Sequence, residues 1–143
     1  MAIPSKKIFL DCSFFISFID RSDLNHQKTV AIFELMAKQN YQLYTSSFLI
    51  YQTFNKIERD MGVQIALEFL QAILDSAIKI LYTTESELLF AYRFFKNAPH
   101  KRVNILELIT TRLMEKNGIN HILTYDYWLN VSTTSVSNFI TNY

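Results

Sequence analysis

Short apolar runs alternate with longer segments of mixed polarity along the chain. Ile8-Phe9-Leu10 predicts a buried first strand, because a short continuous apolar run is typical of a strand covered on both faces. Similar runs predict strands at residues 42–45, 78–82 and 121–124. A fifth strand is expected in the Ser/Thr-rich tail that begins at Ser132. Between the strands, apolar residues recur at helical spacing, which predicts helices.

The predicted helices begin and end at recognisable signals. Helices are expected over residues 13–19, from 26 to about 40, from 46 or 47 to 61, and over 63–77, 84–97 and 104–117. Ser46 or Ser47 is a suitable N-cap, Gly62 interrupts the helical pattern, and Gly118 is expected to close the last helix.

This alternation of strands and helices predicts the fold class. Parallel strands joined by right-handed crossovers place helices on both faces of a sheet. The sequence therefore predicts a three-layer α/β/α fold with a central parallel sheet of four to five strands. A length of 143 residues suits a single domain over residues 1–143, and the presence of only 2 Gly and 2 Pro argues against an all-β sandwich.

Composition narrows the possible environments and partners. Half of the residues are hydrophobic, and the net charge of +1 lacks the positive excess of a protein that wraps duplex DNA. The one cysteine, Cys12, forms no internal disulfide, which fits a reducing cytoplasm. No apolar run is long enough for a transmembrane helix, so no membrane association is expected.

Two aspartates end predicted strands. Asp11 follows the first strand, and Asp126 follows the strand after Gly118. The carboxyl ends of parallel strands share one edge of a sheet, where ligands of such folds bind. Neighbouring carboxylates repel each other unless they share a proton or hold a cation, and their hard oxygens favour Mg²⁺ or Mn²⁺. The alternative is that each aspartate only caps a helix or forms a turn.

Several segments, taken in order, resemble the motifs of the PIN-domain nucleases. The resemblance spans residues 7 to about 130, and the ordered set is more specific than any one motif. The segments are IFLDCSFFI at 8–16, Asn25-His26 with Ala31, TSSFLIYQ at 45–52, NILE at 104–107 and GINHILTYD at 118–126.

This resemblance implies a ribonuclease that depends on Mg²⁺ or Mn²⁺. By position, Asp11, Glu107 and Asp126 would be the metal-binding acids, and Ser13 and Thr124 would be their hydroxyl neighbours. Many members of the family are VapC-type toxins of toxin–antitoxin pairs. The resemblance therefore implies an RNA substrate and an antitoxin protein as partner. A homodimer is also expected, and a set of aromatic residues is a candidate dimer face or groove for a partner segment: Phe14, Phe15, Phe18, Tyr51 and Phe54.

Two positions depart from the family pattern. Gln52 stands where the family carries a Glu, so it offers a carbonyl oxygen without a charge and would orient water or substrate. Glu107 replaces an Asp and is one methylene longer, and Asn104-Ile105-Leu106-Glu107 also fits a capping box. A second hypothesis is therefore a weak or inactive PIN-like domain that binds RNA or protein without turnover.

Other features favour simpler interpretations. The three histidines lack the spacing of a zinc site. A phosphoacceptor receiver domain fits poorly, because no acid follows the third strand at Tyr82-Thr83-Thr84. His100-Lys101-Arg102 is either a solvated basic loop or a phosphate contact. Ordinary helix-face charges are expected at Lys56, Arg59, Arg112 and Lys116.

Overall fold

A computed structural model of the chain describes residues 6–100 and 102–126 and the backbone of residues 137–138. The strands are β1 (Lys7–Leu10), β2 (Gln42–Ser46), β3 (Lys79–Leu81), β4 (His121–Leu123) and β5 (Ser137–Asn138). The helices are α1 (Cys12–Ile19), α2 (His26–Lys38), α3 (Ser47–Met61), α4 (Val63–Asp75), α5 (Glu85–Asn97) and α6 (Ile105–Lys116). Lys101 of the predicted basic loop, and the predicted tail apart from residues 137–138, lie outside the described residues.

The strands form one sheet in the order β3-β2-β1-β4-β5, and every neighbouring pair is parallel. In the central pair, Ile8 lies opposite His121 and Leu10 lies opposite Leu123. The parallel sheet predicted from the sequence is confirmed, and the strand expected in the tail is present as the two residues of β5.

The core lies on both faces of the sheet because side chains alternate along β1. Ile8 and Leu10 join a buried cluster with residues of α1, α2, α3 and α4, whereas Phe9 joins a second cluster that includes Met114 of α6. All three strand residues are fully buried. The predicted three-layer α/β/α arrangement is therefore confirmed.

Side chains and glycines set the helix boundaries. The Ser46 hydroxyl accepts a hydrogen bond from the Leu49 amide and so caps α3. Gly62, at φ +97°, separates α3 from α4, and Gly118, at φ +66°, follows α6. The predicted helix over 63–77 ends at Asp75, because the Ser76 hydroxyl donates to the Ile73 carbonyl and accepts from the Ile78 amide.

None of the described helices is both long enough and apolar enough to cross a membrane.

An ion pair between a partly exposed lysine and a buried glutamate joins α5 to α6. The Lys116 ammonium lies 2.7 Å from a Glu87 carboxylate oxygen, and Glu87 is only 2% exposed. The same carboxylate also accepts from the Thr84 amide in a capping box. The Lys116 contact, followed by the bonds from Thr84, lowers the pKa of Glu87 to about 2. Lys116 therefore does more than the solvated helix-face charge expected from the sequence.

We expect Lys116→Met to lower the free energy of unfolding at pH 7 by about 1–2 kcal/mol, because a buried carboxylate loses a charged donor while Lys116 is itself partly exposed to water. Since the folded pKa of Glu87 lies below its ordinary value, this stability is present above about pH 4.5 and is lost as the pH falls toward 2. Urea unfolding at pH 7 and near pH 2 measures the difference, with Lys28→Met as the control. A deficit of equal size at both pH values would contradict this assignment.

Candidate active site

The strand order reverses between β1 and β4, which are neighbours at the centre of the sheet. In open parallel sheets, ligands bind beside the carboxyl ends of the strands at this reversal. The two strand ends are linked directly, since the Asp11 amide donates to the Leu123 carbonyl at 3.1 Å. Asp11 and Asp126 therefore leave the sheet at the same edge.

The carboxylate of Asp11 is buried and held by two hydroxyls. Asp11 is 5% exposed. Its Oδ2 accepts from Thr124 Oγ1 at 2.7 Å and from Ser13 Oγ at 3.2 Å. Asp11 occupies the N-cap position of α1, but its side chain makes no capping hydrogen bond. The capping alternative considered for Asp11 is therefore wrong, and its side chain is available to the cavity.

Hydroxyl groups also position the loop that carries Asp126. The Asp126 amide donates to Thr124 Oγ1 at 3.0 Å, and the Tyr125 amide donates to Ser13 Oγ at 2.9 Å. Partial burial, followed by the charge of Asp11, raises the pKa of the Asp126 carboxyl, and the charge of Lys56 opposes this rise. Ser13 and Thr124 thus lie behind the carboxylates and fix their positions, while their predicted role beside a cofactor stays a prediction.

Glu107 lies in the first turn of α6. The side chain of Asn104 caps this helix by accepting from the Leu106 amide at 2.8 Å. Within residues 102–126, the Glu107 carboxylate makes no hydrogen bond back to Asn104, so the capping-box alternative is wrong. Burial raises the pKa of Glu107, and the nearby charges of Asp11 and Asp126 raise it further. The carboxyls of Asp11 and Asp126 therefore lie close enough to Glu107 to act on its charge.

A polar cavity of about 130 Å³ brings the candidate residues together at this edge of the sheet. Asp11, Gln52, Glu107 and Asp126 all line it, although they come from four separate segments of the chain. Gln52 reaches the cavity from α3. The catalytic and metal-binding roles of these residues stay predictions, because their placement alone does not establish an activity.

Lys56 and Cys12 are among the further residues that line the same cavity. Lys56 of α3 was expected from the sequence to be an ordinary surface charge, but it lies beside the acidic residues. Its spacing of four residues from Gln52 was the available signal, since residues i and i+4 share one helix face. Cys12 is buried, and burial, opposed by a hydrogen bond with Thr53, raises the pKa of its thiol. The thiol of Cys12 is therefore an uncharged part of the cavity lining.

The donor chemistry of the cavity suits a divalent cation in part. Carboxylate oxygens and the amide oxygen of Gln52 are ligands that Mg²⁺ and Mn²⁺ prefer. Among residues 6–100 and 102–126, however, no three His, Cys, Asp or Glu side chains lie close enough together to hold an ion. The donor types fit the metal, whereas a complete set of carboxylate ligands would require side-chain movement.

A buried chain of hydroxyls anchors Tyr125, the neighbour of Asp126. The Tyr125 hydroxyl lies 2.5 Å from Thr29 Oγ1, which lies 2.9 Å from Ser17 Oγ. Ser17 in turn donates to Asp23 at 3.1 Å. The Tyr125 ring is also stacked on Phe14, with ring centroids 6.2 Å apart. The turn between α1 and α2 is thereby connected to the loop that presents Asp126.

We expect Tyr125→Phe to lower the free energy of unfolding by about 1 kcal/mol, because Thr29 loses a buried hydrogen-bond partner. Amide exchange at Tyr125 and Asp126 should become faster, since the loop loses one of its anchors. Thermal unfolding and hydrogen exchange measure these two effects, and Tyr82→Phe is the matched control because Tyr82 is 66% exposed. Unchanged stability and unchanged exchange would show that this hydroxyl does not anchor the loop.

The chain is therefore a three-layer α/β domain with a parallel sheet. Its acidic side chains lie beside the point where the strand order reverses. The PIN domain family matches residues 8–130, which is most of the chain, and the chain belongs to this family. The resemblance seen in the sequence motifs is confirmed.

Solved structures show the same fold. VapC20 of Mycobacterium tuberculosis, a toxin that cleaves the sarcin–ricin loop, is 17% identical with a TM-score of 0.74, and the match covers 90% of this chain and 98% of that one. VapBC2 of Rickettsia felis, solved with a DNA fragment from its promoter, is 14% identical with a TM-score of 0.66, covering 92% and 98%. A Pyrobaculum aerophilum protein is 13% identical with a TM-score of 0.60, covering 95% and 91%. Comparison with curated protein sequences gives no match.

Proposed function

We propose that this protein is a metal-dependent endoribonuclease of the VapC type and the toxin of a toxin–antitoxin pair. The observation that carries the proposal is the single cavity at the β1–β4 reversal, which is lined by Asp11, Gln52, Glu107 and Asp126. Membership of the PIN domain family supports the same conclusion. VapC20, a toxin that cleaves the sarcin–ricin loop, has the same fold, which supports a cleaving toxin as the proposed function of this chain.

Asp11, Glu107 and Asp126 would hold Mg²⁺ or Mn²⁺ in this mechanism. Such an ion lowers the pKa of bound water and neutralises charge that develops on the phosphate. The residues of the chain would contribute by holding the reacting groups in place. Thr124 and Ser13 fix the Asp11 carboxylate. The neutral amide of Gln52 would orient water or substrate. Because their pKa values are raised, Glu107 and Asp126 bind protons more readily than free carboxyls do, so lower pH opposes metal binding.

The proposed partners follow from the same relationship. We expect an antitoxin protein that covers the cavity, a homodimer, and a site of action in the cytoplasm. The Rickettsia felis relative was solved as a VapBC pair, which supports an antitoxin partner. No membrane component is needed for this function.

We expect purified protein to cleave RNA in the presence of Mn²⁺, and Asp11→Asn to reduce the rate by at least about a hundredfold. Asn keeps the shape of the side chain but removes the charge that would bind the cation. Gel analysis of labelled RNA fragments over time measures the rate.

Glu58→Gln is the matched control for this experiment, because it removes an exposed carboxylate from α3 outside the cavity. It should cleave at the wild-type rate. Equal cleavage by wild type and Asp11→Asn would remove the proposed mechanism, and so would cleavage that continues unchanged in EDTA.

A second function, binding of RNA or protein without turnover, is favoured by two observations. Gln52 supplies no charge, and no three described acidic or other ligating side chains are grouped closely enough to hold an ion. In that case the domain would keep the PIN fold and would not bind Mn²⁺ in the cavity.

Gln52→Glu distinguishes the two functions. An added carboxylate beside Asp11 should strengthen Mn²⁺ binding on the order of tenfold, about 1.4 kcal/mol, if Gln52 lies at the metal site. Thermal unfolding with increasing Mn²⁺ measures this, since a ligand at about 100 times its Kd stabilises a protein by about 2.7 kcal/mol.

Asn55→Asp is the control, because it adds one negative charge at an exposed position of the same helix. It should leave the Mn²⁺ response unchanged. If neither wild type nor Gln52→Glu responds to Mn²⁺, the binding module is the better description of this protein.

A further inference from the structure

Among the residues that the structure describes, Lys56 is the one lysine that lines the acidic cavity. It lies on α3 one turn after Gln52, and both side chains face Asp11, Glu107 and Asp126 across the cavity. Lys56 is partly buried, unlike its exposed helix neighbours Glu58, Arg59 and Asp60. An ammonium group in such a position has a solvation cost that a purely solvated surface lysine does not have.

The ammonium of Lys56 lies near the acidic side chains of the cavity and forms no close ion pair with a described one. Within residues 6–100 and 102–126, no carboxylate lies within 4.0 Å of it in an ion pair. Its charge lowers the pKa of the Asp126 carboxyl against the effect of burial, and it also lowers the pKa of the exposed carboxyl of Asp60. Arg59, three residues further along, is instead held by Asp60 at 2.9 Å on the surface.

Gln52 and Lys56 together change the charge of the cavity. With a glutamate at position 52 and no lysine, its walls would carry four negative charges when fully ionised. Here three carboxyls and one ammonium leave two negative charges. One divalent cation would balance this charge, and a phosphodiester would meet far less repulsion than in a cavity of four carboxylates.

We propose that Lys56 binds the phosphate of the RNA backbone directly beside the carboxylates, so that its ammonium takes the place of a second divalent cation. A lysine ammonium is a compact charge with three donors, which suits a phosphate oxygen. The proposal rests on the proposed function, in that it assumes RNA as the ligand of this cavity. It accounts for a positive side chain in the wall of an acidic site.

A purely structural role for Lys56 makes a different prediction. Its i+4 neighbour Asp60 is exposed and already paired with Arg59, so an additional helix-face contact would contribute little to stability. Such a contact would affect neither RNA binding nor metal binding. Measurements of both ligands therefore separate the two roles.

The test measures binding of two probes to the full chain: a labelled single-stranded RNA of mixed sequence in EDTA, by fluorescence polarisation, and Mn²⁺ alone, by calorimetry. Lys56→Met should weaken RNA binding by roughly five- to tenfold and reduce the salt dependence by about one phosphate contact. The same variant should bind Mn²⁺ more tightly, because a like charge has been removed. Lys56→Arg should retain most of the RNA affinity.

Arg59→Met is the matched control, since it removes a cation from the same helix outside the cavity. It should change RNA affinity by less than about twofold and leave Mn²⁺ binding unchanged. Unaltered RNA affinity in Lys56→Met would overturn the proposal. A loss of both RNA and Mn²⁺ binding would also overturn it, because it would show that Lys56 supports the shape of the cavity.

Failure of the Lys56 proposal can be distinguished from failure of the proposed ribonuclease function. If wild type cleaves RNA with Mn²⁺ but Lys56→Met binds RNA normally, only the role of Lys56 fails. If wild type does not cleave RNA while Lys56→Met still loses RNA affinity, the ribonuclease proposal fails and the phosphate contact stands. A wild type that binds no RNA overturns both.

Discussion

The rest of the site depends on one buried carboxylate. Asp11 is 5% exposed at the end of a central strand, and a charge removed from water must be compensated by donors. Thr124 and Ser13 supply those donors, at 2.7 Å and 3.2 Å. Because Thr124 follows β4 and Ser13 belongs to α1, this compensation requires β1, α1 and the end of β4 to meet at one point. The pairing of β1 with β4 and the positions of the site residues therefore depend on each other.

Among the residues that the structure describes, no hydroxyl pair holds the carboxyl of Glu107 or of Asp126 as Thr124 and Ser13 hold that of Asp11. Burial and the charge of Asp11 raise the pKa of each carboxyl, so both gain from a proton or a cation. The hydroxyl chain from Tyr125 to Thr29 limits how far the Asp126 loop can move away from this repulsion. The cavity thus combines a carboxyl that two hydroxyls hold in place with two carboxyls whose pKa is raised by their surroundings.

Much of this arrangement could be predicted from the sequence, because local patterns determine it. Apolar runs marked the strands, Ser46 and Gly62 marked helix limits, and the acids at strand ends marked the edge where a site belongs. Non-local contacts could not be predicted in this way. The pairing of Lys116 with Glu87, for example, depends on how α5 crosses α6. The end of α4 was missed for a local reason, because the hydroxyl of Ser76 bonds to the backbone although the helical pattern continues to residue 77.

The position of Lys56 in the site was also not predicted from the sequence. In the sequence Lys56 resembles its neighbour Arg59, since both are cations on one amphipathic helix, and only the spacing of four residues from Gln52 sets Lys56 apart. One of them pairs with Asp60 in solvent, and the other enters the wall of the cavity. A pocket of carboxylates alone would bind cations well and repel a phosphodiester. Adding one ammonium would weaken the hold on a metal ion while lowering the barrier to an anionic substrate, so under the proposed function the residues of a single helix turn would set the balance between these two ligands.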